Sequence, residues 1–182
     1  NFNLYYFVLL GAVKDVIKDE EMRTYVGIVL SFTMIIFIVL SITQSALGVP
    51  IRSVFFTVSS IITTTGYSTV DFGLWGLFPH VLLLLLMFIG GCAGSTAGGL
   101  KVIRFLILAR IGKNQIRSTL SPNRVMTLHV NGTALDKDTQ HKILKYFVVY
   151  TLIMISLIAI VSFDSNNFMT VVSAVFSCFN NI

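Results

Sequence analysis

Apolar residues in this chain come in long blocks rather than alternating with polar ones. Three blocks are long: about Tyr25 to Leu47, about Leu74 to Ile111 with an interruption, and about Ile143 to Phe163. The first and third are each long enough to cross a hydrocarbon core of roughly 30 Å as one helix. The second is too long for a single plain span. Two shorter blocks, Ile51 to Ile62 and Phe168 to Phe179, follow the first and third. As helices they reach only about 18 Å, roughly half the bilayer. Each ends in polar residues, which predicts a re-entrant half-helix; a short surface helix is the competing reading.

The blocks also repeat. A shift of 117 residues lays Val26 to Leu47 on Ile143 to Asp164, and Ile51 to Ile62 on Phe168 to Phe179. Val58 then meets Val175, Ser60 meets Ser177, and Thr63-Thr64-Thr65 meets Asn180-Asn181-Ile182. Identities are sparse, so the order of elements carries the match. Internal repeats of this kind are a common way of building membrane transporters.

Composition agrees. Mean hydropathy is +0.85, with 55% hydrophobic and 12% charged residues, which places the chain among membrane proteins. The net charge of +5 is not a nucleic-acid signal, because the basic residues flank apolar blocks and no aromatic-basic surface accompanies them. If both short blocks dip in and return, 12 of the 13 Lys and Arg residues fall on one side, and only Arg52 falls on the other. Positive-inside bias then makes the loop from Gly112 to His141 cytoplasmic, with both half-helices entering from outside. The chain begins with Asn1, carries no signal peptide and stops after a polar run at Ile182. We therefore expect an internal or truncated piece of a larger transporter.

Candidate chemistry sits at two places. The first is Thr63-Thr64-Thr65-Gly66-Tyr67-Ser68, after the first half-helix. A polar loop at membrane depth is tolerated only inside protein or beside water. The C-terminal end of a half-helix is the negative end of its dipole and favours a cation. Gly66 permits positive φ, which lets successive carbonyls turn inward. Potassium channels strip hydration water from the ion with TVGYG loops, and Thr64-Thr65-Gly66-Tyr67 keeps Thr, Gly and Tyr at that spacing. Alone, T-x-G-Y also describes an ordinary extracellular turn. Asp71 lies just beyond it, either concentrating cations at the mouth or serving as a solvated surface charge.

The second place is Gly90-Gly91-Cys92-Ala93-Gly94-Ser95-Thr96-Ala97-Gly98-Gly99. Each glycine costs a helix about 1 kcal/mol relative to alanine, so the second long block breaks here. Close helix packing through small residues is one reading. A phosphate loop is another, but no strand precedes the run and the Walker spacing is absent. A flexible intramembrane loop below the filter, acting as a gate, is the reading we carry forward. Lys101 and Arg104 then mark the return to the cytoplasm.

Other chemistry is poorly represented. Cys92 and Cys178 read as two buried thiols without metal-ligand company. His80, His129 and His141 form no metal-spaced pair and no catalytic set, which argues against an enzyme. No predicted span interior carries the acidic residue a proton relay usually needs. A sodium- or proton-coupled carrier and a non-transporting membrane subunit remain the alternatives to a pore.

Taken together, SSIITTTGYSTVDF, MFIGGCAGSTAGGLKVIR, NFNLYY near the start and the terminal FSCFNNI resemble the TrkH/KtrB family of bacterial potassium transporters over nearly the whole chain. The glycine-rich stretch is the more specific of the motifs. The resemblance implies an all-α integral membrane fold of helix–re-entrant pore loop–helix repeats, four around one pore, in the bacterial inner membrane. Residues 1–24 would be a cytoplasmic or interfacial segment and 25–111 the third repeat, with a broken second helix. Residues 112–142 would be the cytoplasmic basic loop, and 143–182 the fourth repeat as far as its filter. Thr64, Thr65, Gly66 and Tyr67 would supply one quarter of the potassium-binding filter through backbone carbonyls, and Asn181 and Ile182 would open the next. Gly90, Gly91, Gly94, Ser95, Thr96, Gly98 and Gly99 would belong to the gating loop. Potassium would be the substrate, with no organic cofactor. A homodimer is implied, as is a cytoplasmic ring of nucleotide-binding regulatory subunits of the TrkA/KtrA kind. The basic loop from Arg110 to Lys145 is either a docking surface for that ring or a topology signal with lipid contacts.

Overall fold

The structure, a computed structural model, describes residues 2–43, 48–120, 128–163 and 167–182. Leu47, Arg124 and Asp164, which figure in the sequence reading, lie outside them. Among the described residues the chain is almost wholly helical: α1 (Phe2–Leu9), α2 (Val13–Lys18), α3 (Glu20–Thr43), α4 (Ile51–Ile62), α5 (Leu77–Ile89), α6 (Val102–Leu120), α7 (Lys137–Val161) and α8 (Phe168–Asn180). A 3₁₀ turn covers Phe72–Leu74, and a hairpin of β1 (His129–Val130) and β2 (Thr133–Ala134) precedes α7.

Among the described residues, α3 and α7 alone are long and apolar enough to cross a membrane; α4, α5 and α8 are shorter apolar helices. On α7 just Tyr150 and Met154 are buried, while Val148, Leu152, Ile155 and Ile160 stand exposed. A helix that is apolar all round reads as a span. Both long helices start upstream of the apolar blocks. Glu20-Glu21 opens α3 and Asp138 lies in the first turn of α7, where carboxylates complement the positive helix end.

The two short blocks are helices with nearly the predicted limits, although β-branched residues fill much of α4. In low dielectric the backbone must bond to itself, and that requirement overrides modest propensity. Pro50 precedes the first turn of α4, and its carbonyl accepts from the Ser53 and Val54 amides. The repeat is visible in the element limits: Glu20 to Lys137 and Ile51 to Phe168 are both steps of 117 residues.

The main core lies where α4 inserts between α3 and α5. Ile36, Val54, Val58, Ile62 and Leu86 are fully enclosed there, and Trp75 closes one end. A second cluster joins α7 to α8 around Tyr150, Met154 and Val175, with Phe88 of α5 set edge-on to Tyr150 at 5.5 Å.

The long second block divides as its glycines require. Gly90, at φ +72, ends α5, and the chain becomes helical again only at Val102. Helix α6 runs past Ile111 to Leu120, so helical structure extends nine residues into the segment read as loop. Residues 112–120 include no proline to stop it, and Pro122 comes two residues past its end.

Candidate ion pathway

Helix α4 stops at Thr63, and the next residue, Thr64, turns left-handed at φ +57. A β-branched residue rarely adopts that geometry. Gly66 follows at φ +77. The Ser60 carbonyl accepts from both the Thr65 amide (2.9 Å) and the Gly66 amide (3.4 Å), and the Thr63 and Thr65 hydroxyls meet at 2.8 Å. The polar run is therefore coiled tightly over the end of its half-helix, with Tyr67 exposed.

At the end of α8, Asn181 is left-handed at φ +62, and the Ile182 amide bonds to the Ser177 carbonyl at 3.0 Å. The two loop starts also touch. A Cβ built on Gly66 would lie 3.4 Å from the backbone carbon of Ile182. The C-terminal ends of α4 and α8 thus converge, bringing Thr64, Gly66, Asn181 and Ile182 together.

The glycine-rich segment fits beneath both ends. The Gly98 amide donates to Thr64 Oγ1 at 3.2 Å. A Cβ on Gly98 would fall 1.9 Å from the Asn180 carbonyl oxygen, and one on Gly90 would fall 2.2 Å from the Gly98 carbonyl oxygen. Small residues are needed here because backbone meets backbone. Gly94 and Thr96 instead face outward.

Polar anchors hold the segment. Glu21, buried in the first turn of α3, accepts from the Ala93 amide at 2.5 Å. The Lys101 ammonium donates to the Ser95 and Ala97 carbonyls. Beside the segment lies a cavity of about 450 Å³, bounded by Thr63, Ser95 and Thr96 on its polar side and by Phe2, Tyr5 and Tyr25 on its apolar side.

Several side chains have roles the sequence reading missed. Glu21 lay just outside the predicted span, and Lys101 was read only as a topology marker. Asn180 is buried, and its Oδ1 accepts from the Tyr150 hydroxyl. An amide or a charge at the edge of a small-residue or apolar run was the available signal for all three. Asp71 caps the 3₁₀ turn, its carboxylate accepting from the Gly73 amide at 2.9 Å. Of the thiols, Cys92 is buried but Cys178 is exposed on α8, which corrects the expectation of two buried cysteines. No group of three or more His, Cys, Asp or Glu side chains suited to a metal occurs among the described residues.

Away from the glycine-rich segment, the hairpin is fastened to the base of α3. Asn131 bonds to Asp19 and to the Glu20 amide, and Arg110 pairs with Glu20 at 2.7 Å. Arg104 lies over the Tyr146 ring, 4.1 Å from its centroid.

Comparison with known proteins places this architecture. The family model TrkH, described as a cation transport protein, matches residues 17–182. The Trk system potassium uptake protein TrkH of Salmonella typhimurium is 36% identical over the whole chain, and so is that of Escherichia coli. TrkG of Escherichia coli is 33% identical. The chain spans 38% of the length of each of these relatives. The crystal structure of the potassium transporter TrkH from Vibrio parahaemolyticus superposes on the whole chain with a TM-score of 0.88 at 33% identity, using 40% of that protein. Proteins of this family are inner-membrane transporters and not enzymes. With a family match over most of its length and a shared all-α fold, the chain belongs to the TrkH family of cation transport proteins.

Proposed function

We propose that this chain supplies part of a potassium uptake pathway across the bacterial inner membrane. Thr64, Thr65, Gly66 and Tyr67 form one portion of a carbonyl-lined filter, and Asn181 and Ile182 begin another. The glycine-rich loop from Gly90 to Gly99 gates the path below. The observation that supports this most directly is the convergence of two half-helix C-termini with matching left-handed backbones at Thr64 and Asn181. Converging negative helix ends favour a cation, and stacked carbonyls replace its water. The names of the relatives, potassium uptake proteins all, point the same way.

The same reading makes α4 and α8 re-entrant pore helices. Residues 25–111 are then a third helix–pore loop–helix repeat and 143–182 belong to a fourth, with 1–24 at the interface and 112–142 as the cytoplasmic basic loop. A homodimer with a nucleotide-binding regulatory ring on that loop completes the proposal.

The test is potassium and sodium flux into liposomes carrying the full-length protein, with parent and Gly66→Ser side by side. We expect potassium-selective flux that loses selectivity in the variant. Equal potassium-to-sodium ratios in the two would remove Gly66 from the filter. Absence of flux from intact, folded protein would favour a non-transporting subunit.

A further inference from the structure

Lys101 is badly placed for a residue that only marks the membrane boundary. It precedes the first turn of α6, and its carbonyl accepts from the Arg104 and Phe105 amides. A cation at a helix N-terminus opposes the helix dipole. No acidic residue lies in that turn to offset it, and Arg104 adds a second positive charge. The backbone of Lys101 is also left-handed, at φ +76, a geometry that side chains other than glycine adopt rarely. Glycine is plentiful just upstream, yet this position holds lysine.

The side chain accounts for the position. Its ammonium reaches back into the glycine-rich segment and donates to the carbonyls of Ser95 (3.1 Å) and Ala97 (2.5 Å). The next residue, Gly98, carries the amide that touches Thr64 in the polar loop after α4. Two backbone carbonyls of the segment thus share one cation. Charge-assisted bonds of this kind are stronger than neutral ones.

We propose that Lys101 is the positioning residue of the glycine-rich loop. Its ammonium is a tethered cation that gathers the Ser95 and Ala97 carbonyls and so holds Gly98 against Thr64. Glu21 fastens the other end of the loop through the Ala93 amide. In a loop rich in glycine, these anchors replace the rigidity that propensity does not supply. The consequence for ion flow rests on the gate reading above: released from Lys101, the loop would move away from Thr64 and leak would rise.

The experiment uses full-length protein in liposomes with Cys92 as its one cysteine, since that thiol is buried within the loop. Maleimide labelling of Cys92 and potassium flux are read on the same samples for the parent, Lys101→Met, Lys101→Gln and Lys101→Arg. Loss of a charge-assisted bond predicts labelling about tenfold faster in the Met and Gln variants, with the Arg variant close to the parent. If Lys101→Met does not fold, Lys101→Gln gives the same reading. Faster labelling with raised flux supports both the positioning role and the gate. Faster labelling with unchanged flux supports the positioning role and overturns the gate. Unchanged labelling in the folded Met or Gln variant overturns the positioning role, whatever the flux does.

Discussion

Thr64 and Asn181, 117 residues apart, share one left-handed backbone turn, at φ +57 and φ +62. The bond that follows is also shared: Thr65 to Ser60 at 2.9 Å, and Ile182 to Ser177 at 3.0 Å. Asparagine tolerates this geometry better than threonine does. Exchanging the residues at position 64 therefore separates backbone from side chain. In the full-length protein, Thr64→Asn should preserve potassium selectivity because the carbonyl path is kept. Thr64→Val keeps the shape but removes the acceptor of the Gly98 amide, and should lower stability by about 1 kcal/mol. Thermal unfolding in detergent reads the second effect and liposome flux the first. Loss of selectivity in Thr64→Asn would mean that the side chain itself takes part.

The glycines divide into two kinds, and alanine tells them apart. At Gly98 a methyl group would collide with the Asn180 backbone at 1.9 Å, so main chain must move. Gly98→Ala should cost about 1–3 kcal/mol, as overpacking does, and should alter leak. Gly112 lies within α6 with nothing within 4 Å of its added Cβ. Gly112→Ala should raise stability by up to about 1 kcal/mol through helix propensity alone. Similar melting temperatures for the two variants would show that the loop gives way easily at Gly98.

Tyr150 and Asn180 form a buried polar pair that ties α7 to the end of α8. Tyr150→Phe leaves Asn180 Oδ1 without its donor, at a cost of about 1–3 kcal/mol. In an Asn180→Leu background the same change should cost little, because no orphaned acceptor remains. A double-mutant cycle by chemical denaturation measures the difference, and additive effects would break the link between the two residues.

The Glu20–Arg110 pair calls for a smaller number. Both side chains are 32% exposed, so Glu20→Ala should cost less than about 1 kcal/mol, with the difference shrinking in high salt. Arg110→Ala should cost more, since that guanidinium also donates to the His129 carbonyl and holds the hairpin. Amide hydrogen exchange across residues 128–135 would register the loosened hairpin; equal exchange in the two variants would assign the fastening to Asn131 alone.

The membrane class, the two long apolar helices, the two short ones and the break at Gly90 follow from the order of apolar and glycine residues. These depend on local chemistry: hydrophobic length against bilayer thickness, and the cost of glycine within a helix. Even the spacing of 117 residues shows in a bare alignment of blocks. The extension of α6 to Leu120 and the small hairpin after it were less legible, because polar residues without proline suit either loop or helix.

Tertiary structure alone decided what the break does. Nothing local tells Gly98 that its neighbour is Asn180, 82 residues later, or tells Lys101 that its ammonium will reach Ser95 and Ala97. Glu21 looked like one more charge before a span, and it became a buried anchor for Ala93 only when α3 met the loop. Hydrophobic burial has no direction, so a pattern of blocks specifies which segments leave water. Hydrogen bonds have direction and short reach, so the partners of each polar atom are set only when the helices have packed.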